Sequence, residues 1–193
     1  VLLDGTVWLL RENDGAIRVV TLPEKNYTTK PEIYSTKSGL FPADHFYQVY
    51  QDRAGNNWLL TDNGLGMIRP GEWQPVNYFV ETQGKQDGMN QAFYAVRECE
   101  DDICFTSDRG RIWCYQKKSG EFRLHELPTK ARITSIHAVG NDNTVVTTDS
   151  DGFFLSNLKT NKHIHYSPVT CKELSDQPIL SAYVDRTSEV WFE

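Results

Sequence analysis

Three carboxylates, Asp52, Glu98 and Asp185, each close a stretch of alternating apolar and polar residues and each lead into a turn-forming segment. A pair of carboxylates can divide acid and nucleophile work on a glycosidic bond when they stand ~5–9.5 Å apart. These three belong to different structural units, which is too far for such a pair. Their expected role is local, each accepting backbone N–H bonds inside its own turn. Asp149-Ser150-Asp151-Gly152 begins like a calcium loop but lacks the remaining ligands and the distal glutamate. His163 and His165 would share one face of an outer strand, with no third ligand beside them. The other histidines, His45, His125 and His137, are scattered.

The four cysteines, Cys99, Cys104, Cys114 and Cys171, contain no Cys-x-x-Cys pair and have no neighbouring histidine to complete a tetrahedral set. No metal and no cofactor is expected. Cys99 and Cys104 flank the acidic turn Glu100–Asp102 and could bridge a hairpin if their Cα atoms come within range. The competing reading is buried thiols packing as small hydrophobes. No Gly-x-Ser-x-Gly elbow, phosphate loop or dinucleotide fingerprint occurs, so no catalytic residue is assigned.

What must position these groups is a β structure. Aromatic residues make up 12% of the 193, and aromatics favour pleated, half-buried surfaces. The net charge of −6 argues against nucleic acid as a partner, because phosphate binding needs a concentrated positive field. No apolar run approaches the ~20 residues that span a bilayer. The chain begins at Val1 inside an apolar run, and the expectation is a processed or excised segment.

The chain repeats itself. Gly15, Gly64, Gly110 and Gly152 recur at steps of 49, 46 and 42 residues. Trp8, Trp58, Cys104, Val146 and Trp191 head the preceding strands at steps of 50, 46, 42 and 45. From Val49 to Cys114 the register holds without a gap: "VYQDRAGNNWLLTDNGLGMI" lies over "AVRECEDDICFTSDRGRIWC". Each unit holds four short β runs, as in "FYQVYQ", "NWLL", "GMIR" and "NYFV", and none shows a sustained 3.6-residue period. Four antiparallel strands per ~40–50 residues is the arithmetic of a β-propeller blade. A β-sandwich would also show frequent turns, but it would not explain the long period.

The predicted fold is all-β: about four four-stranded antiparallel blades plus the start of a fifth, part of a larger, seven-bladed ring. The expected organisation is one propeller segment, with blades over 1–45, 46–91, 92–132 and 133–178 and a partial blade over 179–193. Loops joining an outer strand to the next inner strand ring one mouth of a propeller, where concave ligand sites form. By location, Asp44, His45, Asn90, Gln91, Arg132 and Gln177 are the candidate ligand-binding residues. Phe46, Tyr47, Phe93 and Tyr94 are expected to pack within the blades.

Asp52, Trp58, Thr61, Gly64 and Leu65, with the Gly39-Leu40 marker and the closing "SAYVDRTSEVWFE", resemble the two-component regulator propeller repeat. The third unit departs from that pattern with Glu98, Cys104 and Ser107, and the fourth keeps only Asp149 and Gly152. The resemblance implies the periplasmic sensor region of a hybrid two-component histidine kinase, the ectodomain of an inner-membrane protein. It further implies an oligosaccharide ligand, the remaining blades and downstream domains of the same chain as partners, and signalling through ring geometry or homodimerisation. This segment itself is expected not to be an enzyme. The rival readings are a structural protein-interaction propeller without a small-molecule ligand and a glycan-processing enzyme on the same scaffold.

Overall fold

The computed structural model describes residues 6–11, 15–22, 27–28, 31–79, 91–99, 101–140, 143–172, 174 and 178–193. Two compact units divide the chain, Val1–Phe93 and Tyr94–Glu193. In the first, β1 (Thr6–Arg11) pairs antiparallel with β2 (Gly15–Leu22). The other edge of β2 takes β3 (Tyr27–Thr28) and β4 (Glu32–Tyr34) in turn, so one outer position is shared by two short strands. A second four-stranded sheet follows in chain order: β5 (Phe46–Gln51), β6 (Asn57–Thr61), β7 (Gly64–Ile68) and β8 (Val76–Tyr78).

The second unit is built the same way. One sheet runs β9 (Phe93–Glu98), β10 (Asp102–Ser107), β11 (Arg111–Gln116) and β12 (Phe122–Glu126). The next runs β13 (Ile133–Val139), β14 (Asn143–Thr148), β15 (Phe153–Asn157) and β16 (Lys162–Tyr166). A two-stranded sheet, β17 (Ala182–Val184) with β18 (Val190–Phe192), ends the chain. No helix occurs among the described residues. The architecture is therefore the expected one, all-β with four four-stranded sheets, three of them simple meanders, and a two-stranded fifth.

The repeating glycine has a steric cause. Gly15 and Gly152 have φ of +84° and +68°, and a Cβ on either would lie 2.2 Å from the Tyr34 carbonyl oxygen or 2.1 Å from that of Tyr166. In these two blades the closing strand lies directly over the hairpin turn, and only glycine leaves room for it.

The repeated strand-head position is the core position. Trp8 stands opposite Arg18, Trp58 opposite Met67, Cys104 opposite Cys114 and Val146 opposite Phe154. In the first unit Phe41 and Ala43, from a connecting loop, seal a cluster with Ala16, Tyr34, Phe46, Leu59 and Ile68. Burial pushes the Tyr34 hydroxyl up to about 12. It donates to the Glu32 carboxylate at 3.1 Å and to the Trp73 carbonyl at 2.8 Å. In the second unit Cys104, Ile112, Cys114 and Leu127 pack on Ile133, Ile136, Val146 and Phe154. One blade's flank thus covers the next, since a lone sheet cannot bury both of its faces.

The disulfide differs from expectation. Cys104 is bridged to Cys114, with Cα atoms 4.0 Å apart, and Cys99 is a free thiol. The possible Cys99–Cys104 bridge fails on register, and the competing reading of free thiols holds for Cys99 and Cys171 but not for Cys104 and Cys114. The Cys99 N–H donates to the Asp102 carbonyl at 2.8 Å, so Cys99 faces Asp102 across the turn, two residues from Cys104. Cys104 faces Cys114 directly. The bridge occupies the place that the Trp58–Met67 pair fills in the second sheet.

The second unit also holds His125, His137 and His163, whose pKa values burial depresses. Neighbouring Arg123 adds to the effect at His125, and Arg97 does so at His137. Between the folded values and the unfolded ~6.5, the unfolded chain binds more protons, so stability rises with pH through that window. Melts at pH 7.5 and pH 5 are expected to show a clear loss of stability on acidification. Replacing His125 and His163 by Gln should shrink that loss, and an unchanged pH slope in the double variant would contradict the assignment.

Candidate functional site

Two of the three strand-ending carboxylates, Asp52 and Asp185, are held within their own turns. Asp52 Oδ1 accepts the N–H groups of Ala54 and Asn56 at 3.0 and 2.8 Å. Its Oδ2 accepts Asn56 Nδ2 and Trp58 Nε1, both at 2.9 Å. Asp185 repeats the motif on Thr187, Glu189 and Trp191. The Thr187 hydroxyl, foremost, holds its carboxyl below the usual range. Glu98, the substituted version, receives Lys117 Nζ at 2.7 Å. Asp52 and Asp185 brace their own turns as their spacing implied, whereas Glu98 forms an ion pair with the turn after β11.

The connecting loops follow a shared rule in which one carbonyl ties each loop to the turn glycine of the preceding blade. Gly15 N–H donates to Asp44 O at 2.8 Å, Gly64 to Gln91 O at 3.0 Å and Gly110 to Ala131 O at 3.0 Å. The next carbonyl ties the loop to its own blade, His45 O accepting Asp62 N–H and Arg132 O accepting Asp149 N–H. Residues at the first position are therefore used through their backbone, and those at the second carry the side chains of interest.

In the first unit this rule separates the candidates. Asp44 accepts the Thr36 N–H at 2.9 Å and the Thr36 hydroxyl at 2.5 Å. Those two bonds, the hydroxyl first, hold its carboxyl below the usual carboxylate range. Gln91 is buried, at 4% exposure. His45 lies at the second position, its ring 4.6 Å from that of Tyr47, which is exposed. Phe46 and Phe93 are buried packing residues. Asn90 and Gln177 lie outside the described residues.

In the second unit Arg132 is the centre of a connected set. Its Nε lies 3.4 Å from Asp149 Oδ2, and its N–H donates to Asp149 Oδ1 at 3.2 Å. Its guanidinium lies 5.2 Å from the centroid of the Tyr94 ring. The Tyr94 hydroxyl donates to Asp108, 3.0 and 3.2 Å from its two carboxylate oxygens. Arg132 is about half exposed and Asp149 about a third. Cation, phenol ring and two carboxylates thus join the β9–β12 sheet to the β13–β16 sheet at their connecting-loop end.

The sequence reading placed Arg132 here but took Tyr94 for packing and did not single out Asp108 or Asp149 as loop partners. The available signal was the repeat itself, since Asp62, Asp108 and Asp149 all follow a Thr or Ser at the same turn. Chemically the set offers guanidinium donors, carboxylate acceptors and an aromatic face. These are the elements that hold a hydroxyl-rich ligand.

No family model and no curated protein matches the chain. Solved structures do. The extracellular domain of the putative hybrid two-component system BT4673 from B. thetaiotaomicron superposes with a TM-score of 0.77 at 17% identity, covering 99% of this chain and 25% of that one. The corresponding domain of BT3049 from the same organism gives 0.65 at 17% identity, over 79% of this chain and 22% of that one. A streptogramin B lyase gives 0.68 at 16% identity, over 99% and 59%. The chain thus spans about a quarter of the BT4673 domain. At these identities the likeness speaks for the fold, and the fold is that of consecutive β-propeller blades.

Proposed function

We propose that this chain is a ligand-sensing segment of an extracytoplasmic propeller in a hybrid two-component receptor, and that it acts by binding without catalysing a reaction. The ligand class we assign is an oligosaccharide, read by the connecting-loop face and reported to a downstream histidine kinase. The observation that carries this reading is the Asp108–Tyr94–Arg132–Asp149 set, which ties two adjacent blades together through groups suited to sugar hydroxyls. Likeness to two extracellular domains of hybrid two-component systems supports the setting. A ligand that replaced the Arg132–Asp149 or Tyr94–Asp108 contact would bear on both blades at once. Such a ligand shifts the receptor only by its difference in affinity for two blade arrangements. The rest of the ring, the downstream domains and a second copy of the receptor would carry that shift onward.

The test is a screen of neutral oligosaccharides against the intact protein by calorimetry, repeated with Arg132→Ala and Tyr94→Ala. Loss of the guanidinium is expected to weaken binding by at least about tenfold, the equivalent of one charge-assisted hydrogen bond. An oligosaccharide that binds Arg132→Ala as tightly as the parent would remove this face from consideration. Turnover of the glycan would instead favour an enzyme on the propeller scaffold. Binding of protein with no glycan binding at all would favour an interaction module.

A further inference from the structure

The second unit holds another polar site, which shares no residue with the Arg132 set. A cavity of about 240 Å³ is lined by Arg97 on β9, Arg123 and His125 on β12, Thr144 on β14 and Lys159 beyond β15, with the Cys104 and Cys114 residues also in its wall. Arg97 donates through Nη1 to the Thr144 hydroxyl, while its buried Nε has no hydrogen-bond partner among the described residues. Thr144 stands opposite Ser156, and Ser156 opposite His163. Such cross-strand neighbours set side chains about 5 Å apart. Ser156 is fully buried, and among the described residues neither its hydroxyl nor either ring nitrogen of His163 has a partner. His125 and His163 are electrostatic neighbours.

Each unsatisfied buried polar group costs about 1–3 kcal/mol, so they are rarely grouped without use. Arg97 and Thr144 line the cavity itself, with Ser156 and His163 in the strand row behind Thr144, and a guanidinium fork suits a planar oxyanion. The charges agree in sign. Arg97, Arg123 and Lys159 outnumber Asp101 and Asp102, and Asp101 is drawn to Lys118 at 2.9 Å. The volume falls below the ~300–1,000 Å³ of ordinary small-molecule sites, which limits the occupant to a small one.

We propose that this cavity binds the carboxylate or sulfate group of a small polar ligand, no larger than one sugar ring. Arg97 is the main grip, Arg123 and Lys159 add positive charge, and the Thr144 hydroxyl and His125 ring on the same wall supply hydrogen bonds. The proposal stands apart from the neutral-glycan reading of the connecting-loop face.

The experiment titrates the intact protein at low salt with glucuronate, glucose and sodium sulfate. Glucuronate and sulfate are expected to bind while glucose does not, with binding weakened by added chloride. Glucuronate tighter than sulfate would support a ligand whose ring is also read, and equal affinities would support a bare oxyanion site. Arg97→Gln is expected to weaken glucuronate at least about tenfold and the exposed Arg123→Gln about threefold. Arg123→Gln keeps the test decisive if Arg97→Gln does not fold. Failure of both anions to bind, or an affinity unmoved by Arg123→Gln together with any folded Arg97 variant, would overturn the site.

Discussion

Asp52→Ala is expected to lower the unfolding free energy by about 3 kcal/mol, because it strands several buried donors at once. The carboxylate is 4% exposed and accepts four hydrogen bonds, two from backbone N–H groups and one each from the Asn56 amide and the Trp58 indole. Trp58 is fully buried, so its Nε1 has no access to replacement water once the acceptor is gone. Asp52→Asn should be intermediate, keeping one acceptor oxygen but setting an amide donor against another donor. Asp185→Ala offers the internal control. It removes the same turn motif at the end sheet, where Trp191 is 60% exposed and water can take over, so the loss should be much smaller. Denaturant unfolding of the three variants measures this directly. Equal losses for Asp52→Ala and Asp185→Ala would show that burial of the indole partner is not what makes the motif costly.

The same comparison shows what could be read from residues alone. The glycine and tryptophan steps disclosed the blades because every blade has to solve one packing problem: an outer strand closing over a turn and a bulky residue facing the next sheet. Repetition of a physical constraint writes a period into the chain. The Asp52 turn was legible for a related reason, since an Asp six residues before a Trp describes contacts made within a single hairpin.

What escaped depends on register and on side-chain direction between strands distant in sequence. Asp44 directly precedes His45 and Ala131 directly precedes Arg132 in the same kind of loop, yet Asp44, Gln91 and Ala131 each give a backbone carbonyl to a turn glycine. One step along the chain reverses the role, and no composition rule marks which step is which. Tyr94 looked like packing because an aromatic at the start of an inner strand normally is. Only the position of Asp108, beyond the next strand, turns it into a hydrogen-bond donor.

Removing the Cys104–Cys114 bridge is the other change expected to be large. Closing a loop with a sequence separation of 10 restricts the unfolded chain by about 2.5 kcal/mol on chain-entropy arithmetic. Both residues are 2% exposed and pack against Val146 and Phe154 in the core of the second unit, so the pair also supplies bulk where the second sheet has Trp58 and Met67. Cys104→Ala with Cys114→Ala should therefore lose about 3 kcal/mol, cavity included, and reductant should bring the parent down towards the same value. The double variant itself should be indifferent to reductant. Cys99→Ser should leave stability nearly unchanged, because that thiol is not in the bridge. Hydrogen exchange should place the loosening on β10 and β11. Peptide mapping under non-reducing conditions decides the pairing beneath all of this: a Cys99–Cys104 linkage, or four free thiols in oxidised protein, would mean that the strand register and not the tryptophan slot had been misjudged.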